Sequence, residues 1–147
     1  MQTVNVLVVE DNPGDARLIE EAFKEAKTKT KVNVVKDGLD VMSFLRQEGI
    51  YADAACPDLI LLDLNLPHKD GIEVLSEIKR DVHLMQIPVL VLSTSSRSQD
   101  ITTCYENYAN SYIVKPADMN RFYQVIQSLE DFWFHVARLP SHKNFND

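Results

Sequence analysis

Several common signals of function are missing from the sequence. Its two cysteines, Cys56 and Cys104, are too few for a disulfide framework and lack the spacing of a zinc site. It has only four glycines, and none of them forms a glycine-rich phosphate-binding loop. Lysines and arginines are scattered, and the net charge is −7, which argues against a nucleic-acid-binding surface. We interpret the cysteines as reduced, buried or half-buried thiols.

Long apolar segments are missing as well. Apolar runs such as Leu59–Leu62 are far shorter than the ~20 residues of a membrane span. The N-terminus lacks the basic flank and apolar stretch of a signal peptide. With 147 residues, of which 45% are apolar and 25% charged, the composition predicts one globular domain, with a core over about residues 4–139 and a polar tail over 140–147. We therefore expect a cytoplasmic protein that binds neither membranes nor nucleic acids.

Short runs of valine, isoleucine and leucine alternate with amphipathic helical patterns along the chain. Such nearly unbroken apolar runs are typical of parallel strands that are covered on both faces. The predicted strands are Val4–Val9, Val32–Val35, Leu59–Leu62, Val89–Leu92 and Tyr112–Val114. The predicted helices span about residues 13–27, 39–47, 71–80, 99–107 and 118–138. This alternation predicts an α/β fold, a doubly wound sheet of five strands with five helices.

Acidic residues follow two of the predicted strands. Glu10 and Asp11 come directly after the first strand, and Asp63 follows the third. In the flavodoxin-like strand order 2-1-3-4-5, strands 1 and 3 are neighbours, and ligands bind at their carboxyl ends. Carboxylates this close repel one another, and Mg²⁺ would neutralise them because it prefers oxygen ligands. The pattern therefore predicts a magnesium site, and a solvated acidic rim is the alternative.

Two further polar residues end the last two strands. Strand four ends in Ser93, whose hydroxyl can donate or accept a hydrogen bond, and strand five ends in Lys115. The lysine, one Mg²⁺ and the three carboxylates would sum to zero charge. Alternatively, the hydroxyl-rich segment at Ser93 forms a turn that caps a helix, and the lysine is merely solvated.

These segments together resemble the receiver domain of bacterial two-component response regulators. The resemblance covers about residues 4–139 and rests on VLVVEDN, LILLDLNLPHKDG, PVLVLSTS and SYIVKPA, in that order and each at the end of a strand. The C-terminal LEDFWFHVARLP and the stretch 47–57 resemble the stand-alone regulators that pair with cyanobacterial-type phytochrome histidine kinases. The resemblance implies a signalling protein with a sensor histidine kinase, in this case a phytochrome, as its partner.

The resemblance also implies roles for the acidic residues. Asp63 would attack a phosphohistidine of the kinase and become an aspartyl phosphate. Asp11 would bind Mg²⁺ directly and Glu10 through water, and Asp63 and the backbone carbonyl of Asn65 would complete the protein ligands. The chain would catalyse its own phosphotransfer and slow dephosphorylation without being an enzyme for another substrate.

Three more residues match the receiver pattern. Ser93 matches the switch hydroxyl that bonds a phosphoryl oxygen, and Lys115 matches the phosphate-binding lysine. Tyr112 matches the aromatic residue that turns inward when the hydroxyl moves. The resemblance further implies a cis bond between Lys115 and Pro116.

A hydrolase or phosphotransferase acting on a small substrate is the alternative class of function. Phosphatases of the haloacid-dehalogenase type also use a strand-end aspartate, but they need a second acid two residues later, where this chain has Asn65. We expect no cap domain or substrate pocket from a chain of this pattern. The sequence therefore favours a phosphorylatable switch that acts through protein contacts.

The last predicted helix has more apolar surface than one sheet face can cover. At 100° per residue its apolar residues span roughly 220°, whereas a packed helix needs a stripe only somewhat wider than ~100°. The surplus includes some of the residues Tyr123, Phe132, Phe134 and Leu139. Exposed apolar surface usually marks an interface, and the resemblance to the phytochrome-partner regulators implies a dimer. We therefore predict a two-fold homodimer through this helix, with strand 5 and helix 4 as further candidate surfaces. The alternative is that the C-terminal extension folds back over the surplus.

Overall fold

The computed structural model describes residues 3–140, and within them five parallel strands form one sheet in the order β2-β1-β3-β4-β5. This is the predicted flavodoxin-like order, which is confirmed. The strands are β1 (Val4–Val9), β2 (Thr30–Val35), β3 (Leu59–Leu62), β4 (Val89–Ser93) and β5 (Ser111–Val114).

Five α-helices of the described residues alternate with these strands, as predicted. They are α1 (Pro13–Lys24), α2 (Gly38–Leu45), α3 (Gly71–Arg80), α4 (Ser98–Glu106) and α5 (Met119–Asp131). A short 3₁₀ turn (Gly49–Tyr51) follows α2, and a π-helix (Phe132–Val136) continues α5. None of the helices within residues 3–140 combines the length and the apolar character that crossing a membrane requires.

The sheet separates two apolar clusters, one on each face. Along β1, Leu7 and Val9 belong to the cluster under α2, α3 and α4, whereas Val6 and Val8 belong to the cluster under α1 and α5. Side chains of successive strand residues point to opposite faces, so a strand buried on both faces must be apolar at every position. This explains why the central strands read as unbroken apolar runs.

Polar side-chain caps begin four of the five α-helices, α1, α2, α3 and α5, at the carboxyl edge of the sheet. The side chain of Asn12 accepts a hydrogen bond from the Asp15 amide, and Pro13 opens α1. Asp37, Asp70 and Asp118 cap α2, α3 and α5 in the same way. Each cap satisfies amides that have no partner inside the helix. The caps therefore fix the loops that surround the ends of β1, β2, β3 and β5.

The structure differs from the sequence prediction at some element ends. The first helix ends at Lys24 instead of residue 27. Strand β2 begins at Thr30 instead of Val32, because Thr30 pairs in register with Val4. The predicted polar tail lies almost wholly outside the described residues.

The largest difference concerns the last predicted helix. Its α-helical part ends at Asp131, and the Ala137 amide donates to the Phe132 carbonyl at 2.7 Å, a π-helical bond. The change of helical phase turns Phe134 onto Phe23, with 6.0 Å between the ring centroids. An α-helix to residue 138 was therefore the wrong prediction.

Candidate functional site

The ends of four neighbouring strands meet at one edge of the sheet. The Asp63 amide donates to the Val9 carbonyl at 3.0 Å, which places Asp63 beside Glu10. The Lys115 amide donates to the Ser93 carbonyl at 2.7 Å, which places these two residues side by side. The strand order therefore brings the acids, the hydroxyl and the lysine of the sequence prediction to the same edge.

Three carboxylates form a cluster at this edge. Oxygen atoms of Glu10, Asp11 and Asp63 all lie within 4.8 Å of one another. Glu10 and Asp63 are buried, whereas Asp11 is exposed. The set supplies only oxygen donors and has an open side at Asp11, which fits a divalent cation that keeps some of its water. A wholly solvated acidic rim does not describe this cluster, since two of its members are buried.

Lys115 lies among the carboxylates and is itself buried. Its Nζ donates to Glu10 Oε1 at 2.6 Å, to Asp15 Oδ2 at 3.0 Å and to Asp63 Oδ2 at 3.3 Å. Only 6% of its side chain is exposed. The alternative interpretation of a merely solvated lysine is therefore wrong.

Burial and the neighbouring charges shift the pKa values of this pair. Burial, together with the adjacent Asp63, raises the pKa of Glu10 to about 7, and the opposing effect of Lys115 is too small to offset them. For Lys115, burial acts to lower the pKa, but the bond to Glu10 and the charge of Asp63 outweigh it and raise the pKa above its ordinary value. The carboxylates thus stabilise the ammonium form of Lys115, whereas burial beside Asp63 disfavours the charged form of Glu10.

Asp15 is the residue that sequence reasoning missed. It lies in the first turn of α1, four positions after Asp11, and bonds Lys115. Four carboxylates against one ammonium leave a formal charge of −3, and a dication would reduce it to −1. The neutral sum expected from the sequence is therefore wrong. The cap at Asn12 was the available signal, because it fixes the start of α1 and with it the position of Asp15.

Ser93 is buried at the end of β4. Its Oγ accepts a hydrogen bond from the Ser95 amide at 3.1 Å, and Ser95 in turn donates to Asp100 at 2.5 Å. The loop after β4 is thus held by its own hydroxyl groups. These hydroxyls do not cap α4, because its N-cap residue Arg97 makes no side-chain cap hydrogen bond.

Tyr112 lies on β5 and reaches the same loop. Its hydroxyl donates to the Ser95 carbonyl at 2.8 Å, and its ring packs half-buried against the core. Its backbone amide donates to the Tyr105 hydroxyl of α4 at 3.1 Å. The ring therefore links β5 to the loop that begins at Ser93.

The loop after β3 borders the site on its other side. The Asn65 amide donates to Asp63 Oδ1 at 3.2 Å, so the residue lies directly beside the acid cluster. An open cavity of about 610 Å³ is lined by Asp11 and residues 64–70. A second one, of about 510 Å³, lies between Asn65 and Ser93. The acid cluster is therefore flanked by two open spaces that a partner's group can enter.

The bond between Lys115 and Pro116 is trans, as are all peptide bonds of residues 3–140. The expectation of a cis bond was wrong. Trans is the form that bonds before proline favour by about 0.5–1 kcal/mol. Lys115 reaches the carboxylates from this conformation.

The chain is similar to known signalling proteins over most of its length. The family described as the response regulator receiver domain matches residues 6–127. The response regulator Rcp1 of Synechocystis sp. (strain ATCC 27184 / PCC 6803 / Kazusa) is 42% identical over 136 residues, which cover 92% of either protein.

Solved structures of such proteins have the same fold. The phosphorylated cyanobacterial phytochrome response regulator RcpA superposes with a TM-score of 0.93 at 49% identity, over 95% of this chain and all of that one. The Mn²⁺-bound form of Rcp1 superposes with a TM-score of 0.90 at 41% identity, over 94% of this chain and 99% of that one.

Proposed function

Because this chain belongs to the response regulator receiver domain family, we propose that Asp63 accepts a phosphoryl group from the phosphohistidine of a sensor kinase. The convergence of Glu10, Asp11 and Asp63 on the ammonium group of Lys115 carries this proposal. We further propose that the chain is a single receiver domain that acts in the cytoplasm through protein contacts.

The transfer needs positioning and charge neutralisation more than bond-making groups. An Asp63 carboxylate oxygen forms the new bond to phosphorus, and the bond from phosphorus to the histidine nitrogen breaks, leaving its electron pair on nitrogen. Lys115 Nζ lies 3.3 Å from Asp63 Oδ2 and donates to the phosphoryl oxygens. The Ser93 hydroxyl, one strand further along the sheet, bonds another of them. Slow hydrolysis of the aspartyl phosphate by water then resets the protein.

We propose Mg²⁺ as the divalent cation of the site. Glu10, Asp11, Asp63 and the backbone carbonyl of Asn65 would hold it, with Glu10 acting through water. Three oxygen donors within 4.8 Å of one another support this assignment. When bound, the cation offsets the charge that the carboxylates and the incoming phosphoryl group bring together.

Ser93 and Tyr112 form the proposed switch. Tyr112 holds the Ser95 carbonyl, two residues after the hydroxyl that would bond the phosphoryl group. Movement of Ser93 toward that group would strain the loop and release or redirect the tyrosine. The difference in contacts at α4 and β5 would then favour one set of partners over another.

The relatives of this chain support a proposal about the type of kinase that phosphorylates it. RcpA is described as a cyanobacterial phytochrome response regulator, and the chain covers its whole length at 49% identity. We infer that this chain also receives its phosphoryl group from a phytochrome-type histidine kinase. We also propose that it forms a homodimer through the C-terminal end of α5.

Binding of beryllofluoride, a phosphoryl mimic, tests the site. The parent protein with Mg²⁺ should bind beryllofluoride and incorporate phosphate from acetyl phosphate. An Asp63→Asn variant should do neither, since its amide is a poor nucleophile. An Asp58→Asn variant is the matched control, because Asp58 lies at the opposite end of β3. Equal phosphate incorporation by Asp63→Asn and the parent would contradict the assignment.

A further inference from the structure

Lys79 is a half-buried lysine that the proposed transfer does not use. It lies in the last turn of α3, and its Nζ donates to the backbone carbonyls of Met85 at 3.0 Å and Ile87 at 2.8 Å. Both carbonyls precede β4, whose other end carries Ser93. The amine therefore lies at the amino edge of the sheet, away from the acid cluster around Asp63.

The partners of Lys79 differ from those of the other buried lysine. Lys115 bonds three carboxylates, whereas Lys79 bonds two carbonyls and forms no salt bridge within residues 3–140. Burial, with no carboxylate among these residues to offset it, lowers the pKa of Lys79 to about 8. A neutral amine still has two N–H donors for the two carbonyls. Loss of one proton therefore costs neither hydrogen bond and leaves a nucleophilic lone pair.

An open cavity of about 610 Å³ gives access to this amine. The residues that line it with Lys79 are Met85, Tyr105, Tyr108, Ala109 and Asn110. The two tyrosines are the titratable residues among these neighbours, and no carboxylate, arginine or histidine of the described residues lines the cavity. Its volume falls in the range of small-molecule pockets, roughly 300–1,000 Å³. A small electrophile can therefore reach Lys79 from solvent.

We propose that Lys79 is a nucleophile that takes the acyl group of a small acyl phosphate entering this cavity, which makes it a modification site separate from Asp63. The neutral amine attacks the carbonyl carbon. A carbon–nitrogen bond forms, and the bond from that carbon to the phosphate oxygen breaks, with its electron pair leaving on phosphate. The proton lost by nitrogen goes to water. The inference does not depend on transfer to Asp63, which breaks the phosphorus–oxygen bond of such a reagent instead.

The chemistry of the cavity favours an acyl phosphate as the donor. Phosphate leaves without a proton from the protein, whereas a poorer leaving group needs an acid to protonate it. Acylation also changes the contacts of the loop before β4. The amide product has one N–H, so only one of the carbonyls of Met85 and Ile87 keeps its bond to Lys79. A buried carbonyl without a donor is unfavourable, so the modification loosens the chain that leads into β4.

Site-resolved mass spectrometry after incubation with acetyl phosphate tests the proposal. In the parent protein, Lys79 should be acetylated at least roughly ten-fold faster than Lys24 near neutral pH, because its lowered pKa leaves more of the amine neutral. Lys24 is the matched comparison, since it lies in the last turn of α1 and is exposed. The rate at Lys79 should level off above about pH 8. Equal rates at both lysines, or a rate at Lys79 that rises up to about pH 10, would overturn the inference.

Matched variants separate this site from the proposed phosphoacceptor. Lys79→Arg keeps a positive charge and donors for the carbonyls, but a guanidinium group stays protonated and is no nucleophile. It should lose the fast acetylation and keep phosphate incorporation at Asp63, and Lys24→Arg should keep both. Asp63→Asn should lose phosphate incorporation and keep the acetylation.

The two proposals can fail separately in this experiment. Undiminished fast acetylation in Lys79→Arg would overturn the inference and leave the proposed function intact. Phosphate incorporation by Asp63→Asn equal to that of the parent would overturn the proposed function and leave the inference intact. The comparison of Lys79 with Lys24 in the parent decides the question by itself if Lys79→Arg does not fold.

Discussion

At the scale of single residues, Asp11 differs from the other acids of the site. Glu10 and Asp63 are buried and bonded to Lys115, whereas Asp11 is exposed, and no bond from Lys115 to it occurs among residues 3–140. Its carboxylate still lies within 4.8 Å of the other two. Asp11 therefore adds repulsion to the metal-free protein without the compensation that the buried acids receive.

Replacing Asp11 by alanine should act in opposite directions on metal binding and on stability. Loss of a direct ligand should weaken Mg²⁺ binding by more than the roughly ten-fold that even outer-shell changes cost. The metal-free variant should have a higher free energy of unfolding, because the repulsion is relieved. Calorimetric titration with Mg²⁺ and urea unfolding measure the two effects. Asp53→Ala, which removes an exposed acid between β2 and β3, should change neither. Unaltered Mg²⁺ affinity in Asp11→Ala would contradict this prediction.

The sequence predicts the positions of the site residues at the strand ends well, but it does not predict the position of Asp15 on α1. The positions of Glu10, Asp63 and Lys115 follow from the strand order, because each directly follows an apolar run and all parallel strands end at one edge. Asp15 depends on the rotational phase of α1 and on the reach of a buried lysine. That rotational phase is set by the Asn12 cap. The sequence indicates that a cap is present but does not specify its geometry.

At the scale of elements, the loop after β3 is held by α2. The Gly38 amide donates to the Pro67 carbonyl at 3.3 Å, and the Asp37 carboxylate is hydrogen-bonded to the imidazole ring of His68. His68 is exposed, and its backbone has a positive φ of 66°. Because the loop also contains Asn65, α2 contributes to the geometry of the acid cluster.

Gly38 is required by the close approach of this loop. A Cβ at this position would overlap the backbone carbonyl of Lys69, which has no freedom to move as a side chain has. We expect Gly38→Ala to lower the free energy of unfolding by about 1–3 kcal/mol, the usual cost of overpacking. Mg²⁺ affinity should fall with it, because the displaced loop contains Asn65.

Gly14→Ala is the control for this prediction. A Cβ at Gly14 would meet only Asn12 Oδ1, at 3.3 Å, and alanine favours a helix by up to about 1 kcal/mol over glycine. Urea unfolding and Mg²⁺ titration of both variants give the comparison. If Gly38→Ala unfolds like the parent, the loop is not held by α2.

At the scale of the whole molecule, the apolar surplus of α5 is smaller than the sequence suggested. The π-helix turns Phe134 onto Phe23, and Tyr123 packs half-buried against the same cluster. These two side chains of the surplus therefore pack against the core directly, without being covered by a C-terminal extension within residues 3–140. Phe132 and Val136 remain 50% and 66% exposed. A helical wheel at 100° per residue could not distinguish the packed side chains from the exposed ones. It assumes that the same helical geometry continues through the whole segment, whereas the chain changes to a π-helix at Phe132.

The exposed side chains of Phe132 and Val136 predict an interface between two copies of the protein. An apolar patch of this kind at the end of a surface helix fits a two-fold interface, in which each copy offers the same surface. The parent should therefore sediment as a dimer at micromolar concentration. Phe132→Glu, alone or with Val136→Glu, should raise the dissociation constant at least roughly ten-fold, because a buried aromatic anchor is replaced by a charge.

The control is Ile50→Glu, which places the same charge on a 91% exposed isoleucine of the 3₁₀ turn after α2. This variant should sediment like the parent, because the 3₁₀ turn packs through Tyr51 against the cluster under α2, on the other side of the sheet. Sedimentation velocity with and without beryllofluoride compares the resting and activated forms. Phosphorylation can shift the equilibrium only if the two forms make different contacts across the interface. A parent that stays monomeric in both conditions would contradict the dimer, and the Phe132 surface would then be assigned to docking of the kinase.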